Sequence, residues 1–249
     1  MRRVLFLFLL LTASAWGATE ARPVILMVHG AWGGAWQFSR IEPFLRDAGF
    51  EVRRVTLTGL GERSHLADAN IGLETHIEDV LNVIRFERLD HVILLGHSYG
   101  GMVITGVADR MPARIARLVY LDAMLPESGE SAFAAMGADQ AQALAAKAEG
   151  GFIPAWWVRP EKPYPRDTPH PLRTLEDKLI LTGAGRDVPG LYVLTTEDLA
   201  HPERDDFYPA SQRAAQRGYV VITIGGDHNV YWRQPEATAL ALAAALRSP

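Results

Sequence analysis

Short runs of consecutive apolar residues recur along this chain, and segments in which apolar positions follow helical spacing separate them. A continuous apolar run bounded by turn residues is typical of a strand that is buried on both faces. The predicted strands cover residues 24–28, 51–57, 91–95, 115–121, 190–195 and 219–224. The helix-like segments between them cover 36–48, 75–86, 102–110, 210–217 and 235–246. The alternation predicts an α/β fold with a mostly parallel sheet flanked by helices.

One predicted helix begins with a recognisable capping pattern. Thr75 stands three residues before Glu78, which is the capping-box spacing, so we expect Thr75 to cap the helix that runs to about Phe86.

The alternation breaks between residue 122 and about residue 181. An alanine-rich stretch at 131–148 predicts a helix, and a proline-dense stretch with the pair Trp156-Trp157 follows it. Because the strand–helix rhythm resumes at Gly190, we interpret 124–181 as a small cap inserted into a single domain that covers 19–249.

The first 18 residues are typical of a secretory signal peptide. Arg2-Arg3 precedes a continuous apolar run at 4–11, and small residues follow near Ala15. The run is shorter than a bilayer span, although an uncleaved membrane anchor is the alternative. We therefore expect export, to the periplasm or the medium, with no stable membrane association after cleavage.

Composition narrows the chemistry. The chain has 249 residues, no cysteine and a formal net charge of −4. The lack of cysteine excludes disulfides, thiolate catalysis and zinc–thiolate sites, and the acidic balance argues against a nucleic-acid partner. The histidines show no metal-ligand spacing, so we infer neither a metal nor a cofactor. The pattern does not indicate an oligomeric state.

The sequence Gly96-His97-Ser98-Tyr99-Gly100-Gly101 lies between a predicted strand and a predicted helix. A Gly-x-Ser-x-Gly turn holds its serine in a strained conformation above the sheet edge, and its glycines let strand and helix approach closely. Ser98 is the predicted nucleophile. A serine hydroxyl needs a base to take its proton, and His228, which directly follows the last predicted strand, is the predicted base.

The base needs a carboxylate that holds its tautomer, and several residues are candidates. Asp198 is favoured because it follows a strand and gives the chain order nucleophile, acid, base. Glu197 beside it is the next candidate. Asp122 stands at the end of an earlier strand and is another position for the acid. Asp227 is expected to point away from His228.

Two converging backbone N–H groups can stabilise the oxyanion that forms when a carbonyl is attacked. Tyr99, directly after the nucleophile, is predicted to supply one of them. Ala31, in the glycine-rich loop at 29–34, is predicted to supply the other. His29 is expected to support this loop rather than to act as a base.

Apolar and aromatic side chains are expected to line a substrate pocket beside Ser98. The candidates are Trp32, Phe133, Met136, Trp156 and Trp157. The alternative for those in the cap is that they pack the cap onto the core.

Several segments together resemble one family. They are His29-Gly30-Ala31-Trp32-Gly33-Gly34, Gly59-Leu60-Gly61-Glu62-Arg63, Gly96-His97-Ser98-Tyr99-Gly100-Gly101, Val119-Tyr120-Leu121-Asp122-Ala123, Thr196-Glu197-Asp198 and Gly226-Asp227-His228. The chain resembles the α/β-hydrolase fold superfamily over about residues 23–246, and within it the branch of plant methylesterases, hydroxynitrile lyases and their bacterial relatives. The resemblance implies a triad of Ser98, Asp198 and His228, oxyanion donors at Ala31 and Tyr99, and no cofactor.

Two departures favour an esterase over a lyase. The hydroxynitrile lyases of this branch carry a lysine directly after the catalytic histidine and a threonine in the oxyanion loop. This chain has Asn229 and Ala31 near those positions. We therefore expect a serine hydrolase that cleaves small to medium apolar carboxylic esters through an acyl-enzyme. The alternatives are lyase-like C–C cleavage and a ligand-binding protein on a hydrolase scaffold.

Overall fold

The computed structural model describes residues 22–247, so the predicted signal peptide lies outside the described residues. Eight strands lie in this range: β1 Val24–Val28, β2 Glu51–Val55, β3 Val92–Ser98, β4 Ile115–Ala123, β5 Phe152–Ile153, β6 His170–Pro171, β7 Gly190–Thr196 and β8 Val220–Gly225. The helices of the same range are α1 Glu42–Asp47, α2 Leu73–Phe86, α3 Gly100–Arg110, α4 Ala132–Met136, α5 Ala138–Ala145, α6 Arg173–Glu176, α7 Tyr208–Gln216, α8 Val230–Arg233 and α9 Pro235–Arg247.

Six of the strands form one sheet in the order β2-β1-β3-β4-β7-β8, and every neighbouring pair is parallel. The predicted fold class, an α/β-hydrolase fold with a mostly parallel sheet flanked by helices, is confirmed. Because the strands run in one direction, the loops after β1, β3, β4, β7 and β8 meet at one edge of the sheet. This is the edge where ligands bind in such sheets.

Apolar side chains cover both faces of the sheet. On one face the side chains of α2 and α3, such as Ile77 and Val103, pack with Leu94 in one buried cluster. On the other face Leu45 of α1 and Leu242 of α9 belong to a second buried cluster. The inner strands of the sheet are therefore buried on both faces. No helix between residues 22 and 247 has the length and apolarity needed to cross a bilayer.

Two helices differ from the sequence prediction. Helix α2 begins at Leu73, before Thr75, and the Leu73 N–H donates to the Asp177 carboxylate at 3.0 Å. The acceptor at the N-terminus of this helix is thus a residue far along the chain. The alanine-rich stretch forms two short helices, because Gly137 at φ 88° separates α4 from α5. These helices and the β5–β6 hairpin lie between β4 and β7, where the inserted cap was predicted.

Glycines allow unusually close backbone approach around the turn after β3. A Cβ on Gly100 would stand 2.6 Å from the carbonyl oxygen of Val28, and a Cβ on Gly101 would stand 1.9 Å from that of Met124. Helix α3 can therefore lie against the ends of β1 and β4 only because both positions lack a side chain.

We expect Gly101→Ala to lower the free energy of unfolding by about 2 kcal/mol or more, because the new methyl collides with backbone that cannot turn away. Helix propensity alone would give the opposite sign, by about 1 kcal/mol. Urea unfolding measures the difference. Gly225→Ala is the control, since its Cβ would only reach ordinary contact with Leu199 at 3.4 Å, and it should change stability by less than about 0.5 kcal/mol. Equal effects of the two substitutions would contradict the packing argument.

Candidate active site

Ser98 ends strand β3 and has φ 55°, in the left-handed region that residues other than glycine rarely adopt. The conformation is enforced by its surroundings: a Cβ on Gly96 would stand 2.7 Å from the Gly100 carbonyl oxygen, and a Cβ on Gly30 would stand 2.9 Å from the Ser98 Cβ. The strained turn predicted from the sequence is therefore present. Ser98 lines a cavity of about 520 Å³ at this edge of the sheet.

His228 lines the same cavity and contacts a buried carboxylate. Its Nδ1 lies 2.6 Å from Oδ2 of Asp122, whose side chain is 1% exposed. The other carboxylate oxygen of Asp122 accepts the Thr195 N–H at 2.9 Å. An ionised carboxylate can only accept, so the proton lies on Nδ1 and the Nε2 lone pair of His228 is free.

The structure does not bring Asp198 to His228, and this corrects the prediction that Asp198 orients the base. Asp198 is in an exposed turn, where its carboxylate accepts the Ala200 N–H at 3.1 Å and lies 3.4 Å from Arg204. Glu197 is exposed as well. Asp227 forms an ion pair with Arg233 rather than contacting the imidazole.

A bulge in β4 explains why Asp122 takes this place. In the pairing of β3 with β4, His97 is opposite Leu121 and Ser98 is opposite Ala123, so Asp122 has no partner. Its φ is 45°, a conformation that aspartate tolerates better than most residues. Bulges re-aim side chains near active sites, and this one turns the carboxylate toward the next strand. The available sequence signal was an aspartate at the end of an apolar strand, which made Asp122 an alternative but not the favoured acid.

Two further rings hold His228. Phe207 stacks on the imidazole with centroids 4.8 Å apart and planes 6° apart. The His97 ring lies 4.4 Å from it, and the His97 Nε2–H donates to the His228 carbonyl at 2.9 Å. Sequence reasoning missed Phe207, because no motif marks it and only the fold of the loop after β7 brings it to the site.

The two predicted oxyanion donors line the cavity together with Ser98. Within residues 22–247, the N–H groups of Ala31 and Tyr99 make no hydrogen bond to protein. The neighbouring Trp32 N–H is occupied, because it donates to His170 Nδ1 at 3.1 Å. The tyrosine side chain points away from the cavity: it is fully buried, and its hydroxyl lies 3.0 Å from His76 Nδ1.

Trp32 connects the glycine-rich loop at 29–34 to the cap, which is the segment between β4 and β7. It has φ 60°, its carbonyl accepts the Thr168 N–H at 2.9 Å, and its Nε1–H donates to the Ile153 carbonyl at 3.0 Å. With the bond to His170, three hydrogen bonds attach Trp32 to the segment around β5 and β6. The cap therefore fixes the backbone that presents the Ala31 N–H.

Four of the five predicted pocket residues line the cavity: Trp32, Met136, Trp156 and Trp157. Phe133 does not. It packs against the buried cluster that contains α2 and α3, which is the alternative given for cap residues. The rest of the wall is mostly apolar, including Met124 and Leu175.

Buried neutral histidines support the site. Burial lowers the pKa of His29 and of His76 to about 4, and it lowers the pKa of His97 and His170 well below the usual value. His29 accepts the Leu57 N–H at 3.0 Å through Nε2, and its Nδ1 donates to the Gly30 carbonyl at 2.7 Å, so it holds the loop that carries Ala31. In the part of the chain that the structure describes, no group of three or more histidine or carboxylate side chains is arranged to hold a metal.

The chain is similar to known α/β-hydrolases over most of its length. The model of the alpha/beta hydrolase family matches residues 25–242. The carbendazim hydrolyzing esterase of Nocardioides sp. (strain SG-4G) is 39% identical over 244 residues, which is 88% of this chain and 98% of the relative. The alpha-hydroxynitrile lyase of Arabidopsis thaliana is 32% identical over 110 residues, 44% of this chain and 43% of the relative. An extracellular α/β-hydrolase from a Paenibacillus species superposes with a TM-score of 0.76 at 26% identity, over 91% of this chain and 100% of that one.

The chain belongs to the alpha/beta hydrolase family. Within that class it is an ester hydrolase, and such enzymes act on small-molecule esters. The predicted enzyme class is thereby confirmed.

The buried histidines predict acid lability. Their pKa is about 4 in the folded protein for His29 and His76 and about 6.5 when unfolded, so the unfolded chain binds more protons below pH 6.5. Stability should be fully present above that pH and fall by about 2 kcal/mol per histidine between pH 7 and pH 5. Urea unfolding at several pH values measures the slope. His76→Gln removes one titrating group, so the loss of stability between pH 7 and pH 5 should be about 2 kcal/mol smaller than in the parent protein. An unchanged loss would contradict the assignment.

Proposed function

We propose that this protein hydrolyses carboxylic esters with Ser98 as nucleophile, His228 as base and Asp122 as the acid that orients the base. The proposal rests on one observation above all: the 2.6 Å contact of a nearly fully buried carboxylate with Nδ1 of an imidazole that shares a cavity with the strained serine. The ionised partner keeps the proton on Nδ1, which leaves Nε2 to accept the serine proton.

In the proposed reaction the Ser98 oxygen attacks the ester carbonyl while Nε2 of His228 takes its proton. The negative charge on the carbonyl oxygen is stabilised by the unpaired N–H groups of Ala31 and Tyr99. The imidazolium then protonates the departing alcohol, which leaves an acyl-serine. Water attacks the acyl group by the same proton transfers in reverse order, and the carboxylic acid is released.

The relatives support this chemistry without specifying the substrate. A carbendazim hydrolyzing esterase matches over nearly its whole length, and a pyrethroid hydrolase is 25% identical over 88% of this chain. The presence of Asn229 and Ala31, rather than a lysine and a threonine, supports ester hydrolysis over cyanohydrin cleavage.

Ser98→Ala should lower kcat for 4-nitrophenyl acetate and butyrate by at least about 10⁴-fold, because no other group in the site can form the acyl-enzyme. Circular dichroism and thermal unfolding should remain as in the parent protein. Steady-state hydrolysis measures the effect, and a variant that keeps the parent rate would disprove the mechanism.

Asp122→Asn and Asp198→Asn test the choice of acid. In the first variant the new amide oxygen can still accept the Thr195 N–H, but the NH₂ group then faces Nδ1 of His228 and enforces the wrong imidazole tautomer, so kcat should fall by about 10³–10⁴-fold. Asp198→Asn affects an exposed carboxylate and should leave kcat within about twofold. A large loss in Asp198→Asn together with an active Asp122→Asn protein would restore Asp198 as the acid.

A further inference from the structure

Three tryptophans meet beside the reacting serine. The Trp32 ring lies 5.2 Å from the Trp157 ring and 6.2 Å from the Trp156 ring, and the two cap rings are 4.7 Å apart, all in edge-to-face arrangements. All three line the cavity that contains Ser98 and His228. We call this group the tryptophan subsite.

The subsite leaves a large aromatic area uncovered. Trp156 is 52% exposed and Trp157 is 46% exposed, whereas most large apolar side chains of the described chain are buried. An exposed apolar patch next to a reactive group is usually the surface that a ligand covers. A binding role would therefore explain why these ring faces are exposed.

The rings are held in place before any ligand arrives. The Trp157 Nε1–H donates to Asp167 at 2.8 Å, the Trp32 Nε1–H donates to Ile153, and Lys147 lies 4.7 Å above the Trp156 ring. Because the polar edge of two of the indoles is already bonded, what they offer to the cavity is mainly ring area. Rigid aromatic walls bind other rings by stacked or edge-to-face contact.

In the described part of the chain, the charged side chains that line the cavity offer no unpaired positive charge to an anionic substrate. Asp122 and His228 pair with each other, and the Arg213 guanidinium is bonded to Glu130 at 2.6 Å and 3.2 Å. The guanidinium of Arg213 is thus neutralised by a carboxylate, and the ionised Asp122 faces an uncharged imidazole.

The remaining charged groups that line the cavity are Asp205 and Asp206, and neither forms an ion pair with another residue of the 22–247 range. Asp205 accepts the Phe207 N–H at 2.9 Å, and Lys147 does not line the cavity. A carboxylate-bearing substrate would meet two unpaired negative charges, so its binding is disfavoured.

We propose that the tryptophan subsite binds an aromatic ring of the substrate, so that the enzyme prefers uncharged aryl or heteroaryl esters to saturated esters of the same size and rejects those that carry a carboxylate. This inference rests on the proposed ester hydrolysis at Ser98, and it names the substrate class of that site.

The first arm of the test compares rings of equal size. Methyl phenylacetate and benzyl acetate place the ring on the acyl and alcohol sides, and methyl cyclohexylacetate and cyclohexylmethyl acetate are their saturated matches. The parent protein should show a kcat/KM ratio of about 2- to 10-fold in favour of the aromatic ester in at least one pair, as one aromatic contact supplies. A ratio of about one in both pairs would overturn the inference.

The second arm changes the subsite. Trp156→Leu and Trp157→Leu should bring the aromatic-to-saturated ratio to about one, mainly through KM, while Trp156→Phe keeps most of the preference because a ring remains. Tyr164→Leu is the control: this cap aromatic is 72% exposed but does not line the cavity, and its ratio should equal that of the parent. A preference that survives in both leucine variants, or an equal loss in Trp156→Phe, would overturn the inference.

The third arm tests charge. The methyl ester of 4-carboxyphenylacetate, esterified only at the acetate, should react at least about 10-fold more slowly than its neutral 4-carbamoyl counterpart, because the two unpaired carboxylates repel its charge. Asp206→Asn should recover part of the difference; equal rates for the two esters would contradict the rejection of anions. Failure of the proposed function has a separate signature, in which the parent protein hydrolyses none of these esters or Ser98→Ala is as active as the parent.

Discussion

Close backbone packing around the turn at Ser98 is the constraint on which the rest of the site depends. A Cβ on Gly30, Gly96 or Gly100 would stand less than 3.0 Å from a neighbouring atom, so these positions have no room for a side chain. The absence of Cβ atoms brings β1, β3 and α3 together, so the Ala31 and Tyr99 N–H groups come to line one cavity with the serine. The strained φ of Ser98 persists because tightly packed backbone surrounds it on several sides. Steric packing alone therefore fixes the positions of the serine and of these two residues.

The cap also holds the glycine-rich loop at 29–34 in place. Trp32 is hydrogen-bonded to the cap through its N–H, its carbonyl and its indole, and it also lines the cavity that contains Ser98. The His170 acceptor in this arrangement stays neutral because burial lowers its pKa. A single residue therefore links the position of the Ala31 N–H to the shape of the pocket. Changes in the cap are expected to alter both selectivity and rate, since one backbone serves both.

Much of the fold could be predicted from local pattern. The predicted strands correspond to the six sheet strands within a few residues. The inner strands β1, β3, β4 and β7 are mostly apolar because both of their faces are buried. The errors arose where distant residues intervene. Helix α2 starts early because Asp177 caps it from across the chain, and Thr75 is inside the helix. The alanine-rich stretch divides at Gly137, whose positive φ ends one short helix and begins the next.

For the site, sequence alone determined what is local: Ser98 in its turn, His228 after the last strand, and the glycine-rich loop that carries Ala31. Each follows from neighbouring residues or from strand order. Tertiary structure decided which carboxylate reaches the imidazole. Asp122 lies near the end of one apolar strand and Asp198 follows another, but a one-residue bulge in the β3–β4 pairing turns Asp122 toward His228, while Asp198 stays in an exposed turn. Register between strands is a non-local property, and it does not show in the order of residues along either strand.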